Sequence, residues 1–412
     1  MENEKTNAPQ NDRAEKKAYM TGFLTGFLSA VLAAMLVVQG PALYHTYIKH
    51  EVDHKTKAEA IYSLMKKYYI DEIDTEKMYE GIYTGMTTFP TNKYSYYMSA
   101  EAAEAYNTST QGNYVGIGIV IMGDPNNKNI VINSVYKPSP AYEVGIRKND
   151  ILRSVSGTAV STDNYEDVVD MVRGPENTTV DLVLYRPSEN KEYNITCYRK
   201  SVDVNTVFSR MLDNETGYIQ ITGFEGVTPD QFRAELTNLE AKGMKKLVLD
   251  LRNNPGGLLV SVKEVAELLV PEGMFTYTED KNGKKDYIYL DSDYLDIPLA
   301  VLVNGSSASA SELLTGAVKD TGMGTIVGTK TFGKGIVQTP FQLSDGSLVK
   351  LTTSRYYTPN GTCIDGIGIE PDVVIEAEKD FELPDLNDED AVVDPETDVQ
   401  LKKALEVLAD EN

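Results

Sequence analysis

An uncharged, apolar segment near the N-terminus sets the first limit on what this chain can fold into. No Asp, Glu, Lys or Arg occurs between residues 18 and 48, and residues 19–38 are mostly apolar. Twenty such residues are enough to cross the hydrocarbon core of a bilayer as one helix. We therefore expect a transmembrane anchor over residues 19–39, preceded by a short cytoplasmic tail, residues 1–18.

A cleaved signal peptide is the alternative interpretation of this segment. The apolar core of a signal peptide is usually shorter, and no small-x-small cleavage pattern follows in the right place. Lysines occur on both sides of the segment, but long domains are translocated largely regardless of charge. We expect a single-pass protein of the cell membrane whose long C-terminal part lies outside the cytoplasm.

Composition excludes several classes of protein and site. The chain has 412 residues, 41% hydrophobic and 25% charged, which is an ordinary globular balance with room for several domains. The net charge of −23 argues against a nucleic-acid partner. Two cysteines, Cys197 and Cys363, cannot form a disulfide framework or a cysteine zinc site. We expect no metal and no cofactor.

The positions of the histidines restrict the chemistry further. All three, His45, His50 and His54, precede residue 55. A histidine base is therefore excluded from the rest of the chain unless these residues fold back onto it. Most Ser-His-Asp and Cys-His mechanisms need such a base, so a hydrolase built on this chain would need another one.

The exported part divides into four regions by hydrophobic pattern. Residues 55–112 have helical periodicity, and residues 113–200 predict a small β-rich domain whose first strand covers residues 114–120. Residues 201–375 alternate short apolar strands with helices, which indicates a layered α/β domain. Residues 376–412 predict an acidic, mostly solvated linker that ends in an amphipathic helix at residues 399–408.

A serine-rich motif, Asn304-Gly-Ser-Ser-Ala-Ser-Ala-Ser-Glu312, follows a predicted apolar strand and precedes a helix. A serine in the first turn of a helix lies among unpaired N–H groups at the positive end of the helix dipole, which suits an oxyanion. Alternatively, Ser307 is only an N-cap and the other serines lie on the helix surface. Helix geometry alone does not choose among Ser307, Ser309 and Ser311.

A lysine between two glycines is the candidate base. In a strand, Lys334, Ile336 and Gln338 would share one face because side chains alternate. Burial can lower the pKa of a lysine enough for it to act as a general base, and Gln338 could orient the neutral amine. The alternative is a solvent-facing lysine at a strand edge.

A glycine turn supplies the third element, in Asp250-Leu-Arg-Asn-Asn-Pro-Gly-Gly257. Glycines allow backbone N–H groups to approach a ligand closely, and α/β folds place their sites after sheet strands. An oxyanion donor here, with Gly256 as the first candidate, is plausible chemistry. A plain turn that requires glycine is the alternative.

Together these motifs, in this order, resemble the carboxyl-terminal processing proteases, which are tail-specific Ser-Lys proteases with an inserted PDZ domain. The resemblance covers residues 55–408. It rests on the three elements above and on these further runs: Val115-Gly-Ile-Gly-Ile119, Pro138-Ser-Pro-Ala141, Asn149-Asp-Ile-Leu152, Gly217-Tyr-Ile-Gln-Ile221 and Thr331-Phe-Gly-Lys-Gly335. It implies an α/β, layered crotonase/ClpP-like protease core at residues 201–375, with the PDZ domain at residues 113–200, flanking helices and a bacterial origin.

The resemblance also implies the site residues. Ser309 would be the nucleophile, Lys334 the base and Gln338 its orienting partner. The oxyanion hole would be formed by the N–H groups of Ala310 and Gly256, although Gly257 is adjacent to the latter.

The PDZ resemblance implies a carboxylate-binding loop of Gly116, Ile117, Gly118 and Ile119. Such a loop takes a free C-terminus as an added strand, and its apolar residues favour apolar C-terminal residues. Arg173, at the end of the PDZ helix, would connect tail binding to protease alignment, or else is a plain surface arginine.

One run departs from the family pattern. Members carry an Asp-Pro-Tyr-Ser-like run after the N-terminal helices, where this chain has Phe89-Pro-Thr-Asn-Lys-Tyr-Ser95. We interpret this region as structural, so the departure affects packing more than chemistry.

The expected function is that of a membrane-anchored extracytoplasmic serine endopeptidase that processes the apolar C-terminal tails of proteins or peptides. The alternatives are a non-catalytic PDZ scaffold on a protease fold and a carrier of lipophilic ligands. We further expect a homodimer in which the helices after residue 55 and the helix at residues 399–408 pair between subunits. Packing of these helices within one chain is the other possibility.

Overall fold

The computed structural model describes residues 11–47, 53–124, 127–291, 294–387 and 391–410. Most of the predicted cytoplasmic tail, His50 and residues 388–390 of the acidic segment therefore lie outside the described residues. Two compact units are present, residues 1–82 and residues 83–412.

Ten α-helices occur in the described ranges: α1 Asn11–Tyr47, α2 His54–Tyr68, α3 Thr75–Thr88, α4 Ala100–Gln111, α5 Pro140–Glu143, α6 Tyr165–Val172, α7 Thr228–Ala241, α8 Leu259–Ala266, α9 Ala310–Thr321 and α10 Val399–Asp410.

The same ranges contain nineteen strands: β1 Tyr96–Met98, β2 Asn113–Gly116, β3 Ile119–Gly123, β4 Ile130–Val135, β5 Ile151–Val155, β6 Thr158–Ala159, β7 Thr179–Arg186, β8 Lys191–Tyr198, β9 Lys200–Asp203, β10 Val207–Met211, β11 Thr216–Ile221, β12 Lys246–Asp250, β13 Gly273–Asp280, β14 Lys285–Leu290, β15 Leu299–Val303, β16 Thr325–Gly328, β17 Ile336–Gln342, β18 Leu348–Tyr357 and β19 Val373–Val374.

The N-terminal unit contains α1 and α2. Within α1, the segment Lys17–Gln39 has a mean hydropathy of 2.1 and is long and apolar enough to cross a membrane. A signal sequence near the N-terminus would share these properties. In α2, Asp53 caps the first turn by accepting a hydrogen bond from the Lys55 N–H, and no residue of the helix is buried.

The β-rich domain is built from two sheets. Strands β3, β4, β5, β7 and β8 form one sheet, to which β6 adds at β5, while β2 pairs with β9. The single strand predicted at residues 114–120 was wrong, because the chain turns between β2 and β3. Gly118 makes the turn at φ +85°, and a Cβ there would lie 2.3 Å from Ser139 Cβ.

This domain is an insertion in the chain path of the C-terminal unit. Strand β1, which precedes the domain, pairs antiparallel with β18 of the C-terminal unit. Strand β10, which follows the domain, is the first strand of a six-stranded sheet in the same unit. The chain thus begins the larger domain, leaves it for the β-rich domain, and returns.

The larger domain centres on a six-stranded sheet in the order β10-β11-β12-β15-β16-β19, which is parallel from β11 to β19. Side chains alternate between its faces: Leu247 and Leu249 pack toward α7, α8 and α9, whereas Val248 packs toward α10. Helices therefore cover the sheet on both sides. A second sheet, β1-β18-β13-β14 with β17 on β18, is antiparallel.

Helix α10 packs its apolar side against the six-stranded sheet of its own chain. Leu401, Ala404 and Leu408 are at most 1% exposed and pack against Tyr218 and Val248 of the sheet. The apolar side of this helix is therefore covered within one chain, as in the alternative given above, and its pairing between subunits stays a prediction.

The acidic stretch before α10 is also less solvated than predicted. Asp398 is 4% exposed, and its carboxylate accepts hydrogen bonds from Arg252 at 3.0 and 2.7 Å. Arg252 is paired in turn with buried Asp250. The end of the acidic segment is thus fixed to the chain segment that follows β12.

We predict that Leu401→Ala destabilises the protein by about 2–5 kcal/mol, because it leaves a cavity between α10 and the sheet. Lys402→Ala, one position along on the exposed face, is the matched control and should change stability by about 0.5 kcal/mol or less. Chemical denaturation of both variants measures the difference. Equal stability of the two variants would contradict the packing of α10 on the sheet.

Candidate active site

Ser309 occupies a strained turn at the start of α9. It is the N-cap residue, with φ +56° and ψ −113°, a conformation that costs a non-glycine residue about 1–3 kcal/mol. The alternative in which Ser307 caps this helix was therefore wrong. Strain of this kind clusters at functional sites, and serine nucleophiles of other hydrolases lie on comparably sharp turns.

The two neighbouring serines have structural roles. Ser307 and Ser311 are 0% exposed, and their hydroxyls donate to the carbonyls of Leu251 (2.8 Å) and Asn254 (3.0 Å). These hydrogen bonds tie the serine loop to the turn after β12. Ser309 is the one serine of the three that is not fully buried, so it is the most accessible of the three candidates.

The glycine turn lies directly against Ser309. A Cβ built on Gly256, where φ is +98°, would lie 2.8 Å from both Ser309 Cβ and Ala310 N. The Gly256 N–H donates to Asn254 Oδ1 at 2.8 Å, whereas the Gly257 N–H donates to no backbone acceptor among the described residues. The turn thus brings two candidate oxyanion donors, the N–H groups of Gly256 and Gly257, to the serine loop. The Gly256 N–H already donates a hydrogen bond to Asn254.

Lys334 lies in a loop that packs on the serine loop. The Phe332 N–H donates to the Ser307 carbonyl at 3.0 Å. The prediction that Lys334 belongs to a strand was wrong, because β17 begins only at Ile336. Gly335 is required for close packing, since a Cβ there would lie 2.1 Å from Asp365 N.

The Lys334 ammonium group has an unusual environment. Burial is the main cause that lowers its pKa, and the positive charges of Lys350 and Lys93 lower it further, while Glu312 opposes them. Its Nζ lies 4.9 Å from the ring centroid of Tyr94. A lysine with this pKa direction beside a strained serine can act as a general base.

The Gln338 side chain hydrogen bonds to the backbone and not to Lys334 in the described ranges. Its Nε2 donates to the Ile336 carbonyl at 3.1 Å, next to a bulge between Val337 and Gln338. No hydrogen bond joins Lys334 Nζ to Gln338 or Ser309 within the described part of the chain. The predicted orienting role of Gln338 stays a prediction.

The run at residues 89–95 contributes to the site, which the sequence interpretation missed. Tyr94 faces the Lys334 ammonium, and Lys93 Nζ lies 5.0 Å from the same ring centroid. The Ser95 hydroxyl accepts a hydrogen bond from the Thr352 N–H at 2.9 Å. The departure from the family pattern therefore falls beside the candidate base.

Glu312 is the second residue that the interpretation missed. It is 0% exposed and accepts a hydrogen bond from the Ser309 N–H and another from the Lys334 N–H, each at 2.8 Å. Its place three residues after Ser309 matches a helix capping box, which could have drawn attention to it.

The predicted carboxylate loop of the β-rich domain lines a cavity of about 720 Å³. Its lining includes Gly116, Ile117, Gly118 and Ile119, together with Val169 and Val172 of α6. Arg173, which is exposed, ends α6 and lines the same cavity. Three glutamates also line it, Glu101 and Glu104 of α4 and Glu225.

The described residues contain neither a candidate metal site nor a disulfide bond. They contain no group of three or more His, Cys, Asp or Glu side chains that could hold a metal ion. Cys197 and Cys363 are both free, and burial raises the pKa of the Cys197 thiol to about 11.

A strained serine, a half-buried lysine and a glycine turn lie on chain segments that pack together, an arrangement compatible with a serine-type peptidase. Comparison with known proteins agrees with this class. Residues 215–375 match the family model of Peptidase family S41, and residues 131–186 match that of the PDZ domain.

Relatives and solved structures extend the match. A CtpA-like serine protease of Staphylococcus aureus (strain COL) is 36% identical over 335 residues, 80% of this chain and 66% of the relative. One of Staphylococcus epidermidis is 36% identical over 327 residues, 78% of this chain and 66% of the relative. The structure of a photosystem II D1 C-terminal processing protease is 32% identical, covers 76% of this chain and 86% of that one, and has a TM-score of 0.45.

The chain therefore belongs to peptidase family S41, carries a PDZ domain, and is similar to CtpA-like serine proteases. It spans 66% of the length of the first of these staphylococcal relatives.

We predict that Gly256→Ala lowers kcat by about 10²-fold or more, because its Cβ would displace the serine loop and the oxyanion donors. Gly322→Ala is the matched control: its φ is +72°, but no atom lies within 4 Å of its Cβ. Both variants carry the positive-φ cost of about 1 kcal/mol, and only the first carries the clash. Peptidase kinetics and melting temperatures separate the two effects. Normal kcat in Gly256→Ala would contradict the close approach of the turn to Ser309.

Proposed function

We propose that this protein is a membrane-anchored serine endopeptidase that processes protein C-terminal tails outside the cytoplasm through a Ser309–Lys334 dyad. The observation that supports this most is the placement of Ser309. It lies in a strained, incompletely buried turn, and the loop of a lysine with a lowered pKa packs against that turn.

In the proposed reaction, the neutral Lys334 amine accepts the proton of the Ser309 hydroxyl as Oγ attacks the scissile carbonyl. The resulting oxyanion accepts hydrogen bonds from the Ala310 N–H and from Gly256 or its neighbour Gly257. The Lys334 ammonium then returns the proton to the leaving amine, which leaves an acyl-enzyme. Water hydrolyses this ester with the amine again acting as base.

The side chain of Lys334 must leave the Tyr94 ring for this reaction, since its Nζ does not hydrogen bond to Ser309 in this structure. The Gln338 amide oxygen is our candidate for orienting it, as predicted from the sequence. The observed arrangement corresponds in this proposal to a resting state.

The PDZ domain is proposed to select the substrate. A free C-terminus would add as a strand beside β3, with its carboxylate at Gly116–Ile119 and its last apolar side chain in the cavity. The apolar α6 residues that line this cavity support that preference. Arg173, exposed at the end of α6, is a candidate second contact for the tail.

Localisation and assembly complete the proposal. Helix α1 would serve as an uncleaved bacterial membrane anchor, with the two folded domains exported. A homodimer would use the helices near residue 55, because Ile61 and Leu64 of α2 are 51% and 57% exposed. The helix-covered sheet is compatible with the crotonase/ClpP-like layering that the resemblance implies.

We predict that Ser309→Ala and Lys334→Ala each abolish peptidase activity without unfolding the protein. Lys334→Arg should be inactive as well, because guanidinium stays protonated in the working pH range. Wild-type kcat should rise with pH through a lysine pKa that is lower than usual. A fluorogenic peptide assay across pH, with circular dichroism for folding, measures this. Substantial activity of Lys334→Arg would refute the general-base role. If neither the wild-type protein nor any variant cleaves peptides, the non-catalytic scaffold is favoured.

We predict that amidating the C-terminus of a substrate slows its cleavage, because charge-assisted hydrogen bonds to the carboxylate are roughly twice as strong as neutral ones. Gly118→Val should slow cleavage of the free-carboxylate peptide in the same way, because its side chain would collide with Ser139. The comparison uses matched peptides that differ only at the terminus. Equal rates for both peptides would end the tail-recognition claim and leave the dyad untouched.

A further inference from the structure

We infer that Glu312 is a positioning residue that holds the chain segments of the nucleophile and of the base together. This inference rests on the proposed Ser309–Lys334 dyad and adds a third residue to it. The carboxylate touches the backbone on both sides of the site rather than the reacting atoms.

The geometry joins two separate segments through one carboxylate. Glu312 Oε2 accepts the N–H groups of Ser309 and Lys334, each at 2.8 Å. Oε1 accepts the Gly333 N–H at 2.7 Å and the Thr331 hydroxyl at 2.6 Å. Four donors thus converge on a side chain that is 0% exposed. The serine turn and the lysine loop cannot move apart without breaking hydrogen bonds to a buried charge.

A simple capping role does not account for this arrangement. A capping-box glutamate bonds the N-cap N–H of its own helix, which here is the Ser309 N–H. Three of the four donors come instead from the lysine loop. Within the described residues no Lys or Arg forms an ion pair with Glu312, so these hydrogen bonds and the N-terminus of α9 stabilise its charge. The carboxylate therefore depends on the lysine loop being in place, and the loop depends on it.

The charge of Glu312 also acts on the base. Three charged groups act on the Lys334 ammonium: Glu312 from α9, Lys350 from β18 and Lys93 from the segment before β1. The Tyr94 ring centroid lies 4.9 Å from its Nζ. The two lysines favour the neutral amine, whereas the Glu312 carboxylate favours the ammonium. Removing the negative charge must therefore lower the pKa of Lys334 and extend activity to lower pH. Removing the charge of Lys350 must have the opposite effect.

The test is Glu312→Gln in the full-length protein, assayed with a fluorogenic peptide across pH. An amide has one acceptor oxygen, so it cannot accept from three N–H groups and must release part of one loop. We expect kcat to fall on the order of 10²-fold, the usual cost of an ångström-scale misplacement, with KM changed less than about threefold. The lower limb of the pH profile should move to lower pH, and in Lys350→Gln to higher pH.

Asp150→Asn is the matched control. Asp150 is a buried carboxylate of the PDZ domain that accepts hydrogen bonds from the Arg147 N–H and from Arg186. Asp150→Asn makes the same change from a carboxylate to an amide, but in a domain that does not contain the dyad. Its pH limb should stay at the wild-type position even if the melting temperature falls, which separates loss of stability from loss of positioning.

A folded Glu312→Gln enzyme with wild-type kcat and an unmoved pH limb would overturn the inference. If Glu312→Gln does not fold, Thr331→Val keeps the charge and removes one of the four hydrogen bonds. The inference then requires a lower kcat with an unmoved limb, and an unchanged kcat overturns it. Either of these two results would overturn the role of Glu312 but not the proposed dyad, provided that Ser309→Ala and Lys334→Ala are inactive. Activity in those two variants would refute the proposed function itself.

Discussion

The attachment of the serine loop to the glycine turn is the interaction on which the candidate site depends. Parallel pairing of β12 and β15 places the two chain segments side by side where both strands end. The Asn254 carbonyl then accepts the Ala308 N–H and the Ser311 hydroxyl, each at 3.0 Å. These bonds hold the chain on both sides of Ser309, which can therefore keep a backbone conformation that an isolated turn would abandon.

The same principle extends outward from the serine. The lysine loop has no secondary structure of its own between Thr331 and Gly335, and it is held by glycine contacts and by the Glu312 carboxylate. Behind the turn, Arg252 links Asp250 to Asp398, so the segment before α10 supports the turn from the opposite side. A buried ion network of this kind contributes more to geometry than to net stability. The strain at Ser309 is thus balanced by contacts from three distant parts of the sequence.

Sequence patterns predicted the elements well where hydrophobic periodicity carried the information. Residues 201–375 do alternate strands with helices, and helix α10 begins at residue 399, as predicted. Sequence patterns predicted less where long-range contacts determine which side chains are buried and which lie at the site. Nothing local separates Ser309 from Ser307 and Ser311, because burial of the latter two depends on carbonyls more than 50 residues away. The contact of Tyr94 with Lys334, across some 240 residues, left no local trace, and the run at residues 89–95 was therefore interpreted as structural.

The most direct test of the account is covalent labelling with a fluorophosphonate, followed by peptide mapping by mass spectrometry. The account predicts a single adduct on Ser309, formed faster as pH rises and lost in Lys334→Ala. Ser307 and Ser311 are close in sequence and serve as internal controls, since their buried hydroxyls should stay unmodified. An adduct on either of these serines, or labelling of Ser309 at the same rate without the lysine, would contradict the Ser309–Lys334 dyad.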